Sequence, residues 1–298
     1  MMIKNDVLDK SSGRIIYSGD GGDILSLSAD KTEDLFKSCG LLIFRGFGVT
    51  LEQMKVFSEQ LSSEFIRDSN RPIVDSKDGF VGLVDQGMHA LGPHCENGTT
   101  PFRPDAVWFC CANPAEQGGE TLFWDGVQVW RKLSEELKQF FISKQKIIYF
   151  NQYSTEAWQH FLGSDATLED AKQKLDGLEG VSYLINEDQS ISIEYALPTV
   201  SKTKYCNQDV FAHSFMMSYS ETGGMDYFKA GAVKFEDGSL IPESAIYEIK
   251  EVLDLLTEAV PLQAGDLVMV DNSRFLHGRR AFSDNRRQIF SLLSYLNF

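Results

Sequence analysis

Apolar residues in this 298-residue chain come in short runs, and that brevity limits what it can fold into more than any other feature. Gly40-Leu-Leu-Ile-Phe44, Ala106–Ala112, Glu120–Trp124, Lys146–Tyr153, Ile191–Leu197, Gly265–Val270 and Gln288–Leu296 each have strand length, several of them bounded by glycine or turn residues. His213–Tyr219 and Gly231–Phe235 read as two more strands, the second followed by the turn pair Asp237-Gly238. Helical spacing is confined to Leu51–Phe65, Val127–Ile142, Thr155–Leu178 and Glu243–Leu256. Thr50 with Gln53 three residues on has the form of a capping box. A doubly wound sheet needs regular alternation of strand and helix, and these segments do not alternate. The pattern predicts a mainly β, α+β protein: a β core decorated with helices.

A 43% hydrophobic and 24% charged composition can bury a full core and excludes a disordered or low-complexity chain. Internal repeats and Pro/Gly/Ser-rich linkers are absent from the sequence, so one domain over residues 1–298 is expected, with insertions at 66–92 and 154–190 as the expected lids. Lys and Arg number 28 against 43 Asp and Glu, a net charge of −15. That field repels phosphate backbones and anionic headgroups, which argues against nucleic acid and membrane surfaces as partners, and equally disfavours a substrate tethered to an acidic carrier protein. Five cysteines without a CxxC pair read as reduced thiols, and Met1–Ser12 lacks the basic-then-apolar pattern of a signal peptide. The expected location is the cytoplasm. Oligomeric state is not legible.

Chemistry concentrates in three places: His94-Cys95-Glu96, His277 within Asp271-Asn-Ser-Arg-Phe-Leu-His277-Gly-Arg-Arg280, and Arg286-Arg287. A His-x-Glu pair with a distant histidine is the ligand set of a two-histidine, one-carboxylate site, which holds Fe(II) by one face and leaves positions open. Each histidine alone is as well explained by packing or exposure. Arg286 and Arg287 alone could be a solvated pair at a strand start, and alternation lets only one of them point inward. Thr121 alone is a β-favoured residue.

Four segments in order change that weighing. Leu41-Leu-Ile-Phe-Arg-Gly-Phe47 leading into Val49-Thr-Leu51, Pro93-His-Cys-Glu96, Gly118-Gly-Glu-Thr-Leu122 after Asn113-Pro114, and Gly265-Asp-Leu-Val-Met-Val-Asp-Asn272 leading to Leu276-His-Gly-Arg279 and Arg286-Arg287 together resemble the taurine dioxygenase / clavaminate synthase-like superfamily of Fe(II)- and 2-oxoglutarate-dependent oxygenases. The resemblance implies a double-stranded β-helix (jelly-roll) core with helical insertions. It implies Fe(2+), 2-oxoglutarate and O2 as the reactants beside a small-molecule substrate, with release of succinate and CO2. It makes His94, Glu96 and His277 the catalytic metal ligands and Thr121 a contact of 2-oxoglutarate. Arg287, the tenth residue after His277, is the better match for the arginine that grips the far carboxylate, with Arg286 as the fallback. A planar guanidinium suits that task because it holds a carboxylate through two parallel hydrogen bonds.

Two departures narrow the chemistry. The carboxylate at Glu96 argues against halogenation, since related halogenases have Ala or Gly there. Taurine-type enzymes carry a second arginine four residues after the 2-oxoglutarate arginine, where this chain has Ser291, so a sulfonate bound in that manner is not expected. Asn97, His213 and Arg279, with His89 and Arg103, are candidate substrate contacts, each equally accounted for by surface or packing roles. Hydroxylation of a small polar molecule, such as an amino acid or specialised metabolite, is the expected reaction. Desaturation, cyclisation and epimerisation share its early steps. A non-catalytic jelly-roll binding protein and a cupin-type enzyme using the metal triad alone are the rival classes.

Overall fold

The computed structural model describes residues 4–19, 21–67, 71–74, 79–84, 87–163, 165–219 and 232–298, apart from the side chains of His160, Phe161, Ser218 and Tyr219. Two sheets position the site. The larger contains β1 (Asn5–Val7), β2 (Arg14–Tyr17), β3 (Leu41–Arg45), β4 (Ser62–Ile66), β5 (Gly82–Leu83), β7 (Ala106–Asn113), β16 (Leu267–Asp271) and β18 (Gln288–Leu296). Its order is β1-β2-β3-β16-β7-β18-β4, with β5 also paired to β18. The smaller runs β15-β8-β17-β6, from β15 (Glu258–Val260), β8 (Thr121–Asp125), β17 (Phe275–Arg279) and β6 (Leu91–His94).

The continuous apolar runs follow from burial on both faces of the larger sheet. Leu41, Ile43, Val107, Phe109, Val268 and Val270 pack inward with Phe123 and Phe275 of the smaller sheet. The intervening Leu42, Phe44, Trp108, Cys110, Leu267 and Met269 form a second core with Phe36 and Phe57, from helices α1 (Ala29–Cys39) and α2 (Leu51–Glu59). A period of two thus feeds two cores from one strand. On the outer face of the smaller sheet, Trp124 and Leu276 pack against α3 (Gly126–Lys132), α4 (Glu135–Lys144) and α8 (Glu243–Leu256). A third sheet, β10-β11-β9-β14, comprises β9 (Lys146–Tyr153), β10 (Val181–Ile185), β11 (Ile191–Pro198) and β14 (Val233–Phe235), while β12 (Ser201–Lys202) pairs with β13 (Asp209–Val210). No helix among the described residues is long and apolar enough to cross a membrane.

Several expected elements are divided or replaced. The helix expected over Leu51–Phe65 stops at Glu59, because Ser62–Ile66 pairs with β18 and that pairing overrides the helical spacing. Val127–Ile142 breaks at Leu133, where Ser134 caps α4 by accepting from the Leu137 N–H. Thr155–Leu178 splits into α5 (Thr155–Leu162) and α6 (Leu168–Asp176), separated at Gly163 and restarted by a Thr167–Asp170 capping box. His213–Tyr219 is no strand; Met216–Tyr219 forms the short α7. Gly231 lies outside the described residues, and the strand expected from it covers Val233–Phe235. Helix α1 has a signal that strand spacing concealed: Ser28 caps it, and Gly40, at φ 75°, ends it rather than opening β3.

Candidate active site

Strand pairing, not chain proximity, assembles the site. His277 on β17 lies in register with His94 on β6 and with Phe123 on β8. The two imidazole centroids are 4.3 Å apart. Glu96 follows β6 by two residues, and one ligand atom from each of His94, Glu96 and His277 lies within 4.8 Å of the others. The His277 ring lies edge-on to Phe109, a member of the inner apolar core, with centroids 5.3 Å apart.

The donors suit a divalent metal. His94 Nδ1 lies 2.8 Å from the Gly92 carbonyl, which can only accept, so Nδ1 carries the proton and Nε2 keeps its lone pair. Burial, followed by the neighbouring His277, lowers the His94 pKa to about 4, leaving a neutral imidazole at neutral pH. Burial pushes the Glu96 carboxyl up, but Arg71 and His277 outweigh it and hold the group ionised. Both ring nitrogens of His277 are buried without a hydrogen-bond partner, Nε2 standing 3.5 Å from Glu96 Oε2. Orphaned imidazole nitrogens in a buried site are costly unless a ligand such as a metal takes them up. The residues fit the ion.

Two cavities meet here. The larger, about 550 Å³, is lined by His89, His94, Glu96, Asn97, Thr100 and Ser214 among others. The smaller, about 30 Å³, brings Thr121, Arg279 and Arg287 to the His277 side. Arg287 is buried, donates from Nε to the Gly119 carbonyl at 3.3 Å, and lies over the Phe282 ring. A Cβ on Gly119, where φ is 69°, would come 3.2 Å from the Arg287 side chain, so the Gly118-Gly119 turn makes room for the guanidinium. Arg286, by contrast, is 60% exposed and pairs with Glu116 and Asp284. The structure therefore separates the two arginines, with Arg287 inward.

The remaining candidates divide. Asn97 lines the larger cavity at φ 53° and donates to the Phe102 carbonyl. Arg279 lines the smaller cavity, its Nη2 donating to the carbonyls of Gly87 and His89. His213 is a correction: Nε2 lies 2.9 Å from the Thr199 carbonyl and Nδ1 3.4 Å from Tyr149 Oη, and it lines neither cavity. Its neighbour Ser214 does, and accepts from the Cys95 N–H at 3.0 Å. Arg103 is structural, donating to the Asn272 carbonyl and to Cys95 Sγ. Residues 154–190 build their own apolar cluster around Trp158, Ala171 and Leu175, and none of the described ones lines either cavity.

With the fold and the His94, Glu96 and His277 cluster described, the chain can be assigned to a dioxygenase family. It belongs to the family described as taurine catabolism dioxygenase TauD, TfdA family, which matches residues 11–293. A clavaminate synthase-like protein of Arabidopsis thaliana is 25% identical over 202 residues, covering 63% of this chain, which spans 60% of that relative's length. The dapdiamide synthesis protein DdaC of Enterobacter agglomerans is 23% identical over 276 residues, 85% of this chain and 82% of its own. Among solved structures, a taurine dioxygenase from Burkholderia xenovorans matches 99% of this chain and 89% of its own with a TM-score of 0.62 at 16% identity. PvcB of Pseudomonas aeruginosa matches 95% and 85% with a TM-score of 0.60 at 15% identity. These structural likenesses establish a shared fold.

Proposed function

We propose that the protein is an Fe(II)- and 2-oxoglutarate-dependent dioxygenase that hydroxylates a C–H bond of a small polar molecule. One O2 and one 2-oxoglutarate are consumed per turnover; one oxygen atom goes to the substrate as hydroxyl and the other to succinate, with loss of CO2. The observation that carries this reading is the convergence of His94, Glu96 and His277, with neither His277 nitrogen in a hydrogen bond, beside a buried Arg287. When bound, Fe(II) supplies a redox-active centre for O2, chemistry no side chain provides. The chain's own residues supply geometry and charge. His94, Glu96 and His277 hold the ion, and the Nδ1–Gly92 contact sets the His94 tautomer. A single carboxylate leaves the site positive enough to attract a 2-oxo acid.

Arg287 binds the far carboxylate of 2-oxoglutarate, with Thr121 beside it on β8. Phe109, Val84, Leu91 and Ile289 in the same cavity wall exclude water. The two facing sheets are read as a jelly-roll core within one catalytic domain, and residues around 66–92, which contribute Arg71 and His89 to the cavity, as its lid. A substrate in specialised metabolism fits the relatives: DdaC takes its name from dapdiamide synthesis, and PvcB is described as belonging to an isonitrile synthetic pathway. The test is anaerobic addition of 2-oxoglutarate to the Fe(II)-loaded protein, followed by oxygen and a substrate panel. A visible charge-transfer absorption and substrate-stimulated succinate are expected. No metal-dependent binding of 2-oxoglutarate would refute the assignment.

A further inference from the structure

Arg71 lines both cavities, and nothing in the motifs around His94 or His277 marks it. Its guanidinium spans two elements, Nη1 donating to Ser291 Oγ at 3.1 Å and Nη2 to Glu96 Oε2 at 2.5 Å. The scaffold holds it there through several contacts. β5 pairs with β18 at Leu83–Phe290 and Gly82–Ser291, Ile73 bridges to Gly82, and the Leu83 N–H donates to the Pro72 carbonyl. Gly82 leaves the space: a Cβ there would stand 3.0 Å from Arg71 Cβ and 3.3 Å from Ser291 Oγ.

We infer that Arg71 is the specificity-determining anchor for a carboxylate on the primary substrate. The inference rests on the dioxygenase reading and deepens it. Arg287 lines the smaller cavity alone and is assigned to the co-substrate, whereas Arg71 lines both cavities. The larger cavity's other described walls include the neutral polar side chains Asn97, Thr99, Thr100 and Ser214, so Arg71 is the permanent cation among its described lining residues. A guanidinium offers five N–H groups in a plane, and a carboxylate can take two in parallel while Ser291 keeps another. Ser291 sits four residues past Arg287, where taurine-type enzymes carry arginine; here a hydroxyl at that position orients an arginine brought from a distant segment. A planar carboxylate held by the fork through two bonds, beside the Glu96 carboxylate, leaves the rest of the substrate to extend along His89, Asn97 and Thr100.

The test uses the full-length protein loaded with Mn(II) and 2-oxoglutarate without oxygen. The probes are the common L-amino acids, each paired with its C-terminal carboxamide, titrated by calorimetry. Wild type should bind at least one acid about 10- to 100-fold tighter than its amide, the range of a charge-assisted hydrogen-bond pair. R71Q should abolish that preference, R71K should restore part of it, and 2-oxoglutarate affinity at saturating Mn(II) should stay within about threefold in R71Q, whereas Mn(II) affinity itself falls with the loss of the Glu96 partner. A merely structural arginine would not move the acid–amide ratio. The assignment is overturned if the ratio survives in R71Q, if wild type prefers no acid, or if R71Q weakens 2-oxoglutarate by the same factor. Failure of Mn(II)-dependent 2-oxoglutarate binding in wild type itself would instead overturn the underlying dioxygenase reading, and this assignment with it.

Discussion

The carboxamide of Asn272 brackets the backbone of Glu96. Its Oδ1 accepts from the Glu96 N–H at 2.8 Å, and its Nδ2 donates to the Glu96 carbonyl at 2.9 Å and to the Pro104 carbonyl at 3.0 Å. Asn272 is fully buried between β16 and β17, so the loop before His277 also sets the height of Glu96. The two halves of the proposed ligand set are coupled through one side chain. Asn272→Ala strands a buried N–H and two carbonyls, each worth about 1–3 kcal/mol when unpaired. The expected result is a loss of about 2–5 kcal/mol in urea unfolding and a 10- to 100-fold drop in Mn(II) affinity by calorimetry. Unchanged metal affinity would show that Glu96 needs no such bracket.

Arg286 and Arg287 are adjacent but face opposite environments, and co-substrate binding should separate them. Arg287→Gln is expected to weaken 2-oxoglutarate binding to the Mn(II)-loaded protein by about 10- to 100-fold, the worth of charge-assisted hydrogen bonds. Arg286→Gln disturbs only its exposed pairs with Glu116 and Asp284 and should change affinity by less than about threefold. The reverse ranking would move the proposed carboxylate grip to the outer arginine.

His213 should make the protein acid-sensitive although it lies outside both cavities. Burial lowers its pKa from 6.5 to about 4 in the folded protein. Between those values the unfolded chain binds the proton more strongly, so stability rises with pH through the window and levels off above about 6.5. The full amount is about 3 kcal/mol. Asp271, pushed up by burial to about 6, has the opposite sign: its contribution is greatest below about 4 and is lost as pH rises through 6. The readout is therefore the difference between wild type and His213→Gln in urea unfolding at pH 5 and pH 7.5. The variant should lose less stability on acidification, and equal losses would count against a neutral buried imidazole.

Arg274 and Asp125 form a bidentate pair, Nε to Oδ1 and Nη2 to Oδ2, both at 2.9 Å, with side-chain exposures of 5% and 0%. The pair ties the start of β17 to the end of β8, and Asp125 Oδ1 also caps α3 through the Val127 N–H. Arg274→Met leaves a buried carboxylate uncompensated and is expected to cost about 3–5 kcal/mol. Adding Asp125→Asn removes that charge while retaining a capping oxygen, so the double variant should recover part of the loss in the same unfolding assay. Additive losses would show that the pair is not coupled.

Much of the site was legible because its chemistry is local in the chain. Pro93-His-Cys-Glu96 and Leu276-His-Gly-Arg279 each carry their donors within a few residues, and Gly118-Gly119 marks a turn whose φ values only glycine adopts readily. The split of Leu51–Phe65 was not legible. Met54 and Phe57 keep helical spacing, and nothing in Ser62–Ile66 announces β18 as its partner, since pairing energy belongs to both strands. For His213 the sequence left substrate contact and packing open, because a buried, hydrogen-bonded imidazole and a substrate contact are the same letter there.

By itself, then, the chain's order of residues determined the strand-rich core, through apolar periods of two, and the candidate metal donors, through short motifs that resemble those of a known family. Tertiary structure decided which arginine turns inward, that Asn272 clamps Glu96, and that Arg71 reaches Ser291 and Glu96. Those relations depend on register between segments far apart in the chain. A one-residue slip in a strand would reverse every side chain's face, and no local propensity encodes which register wins.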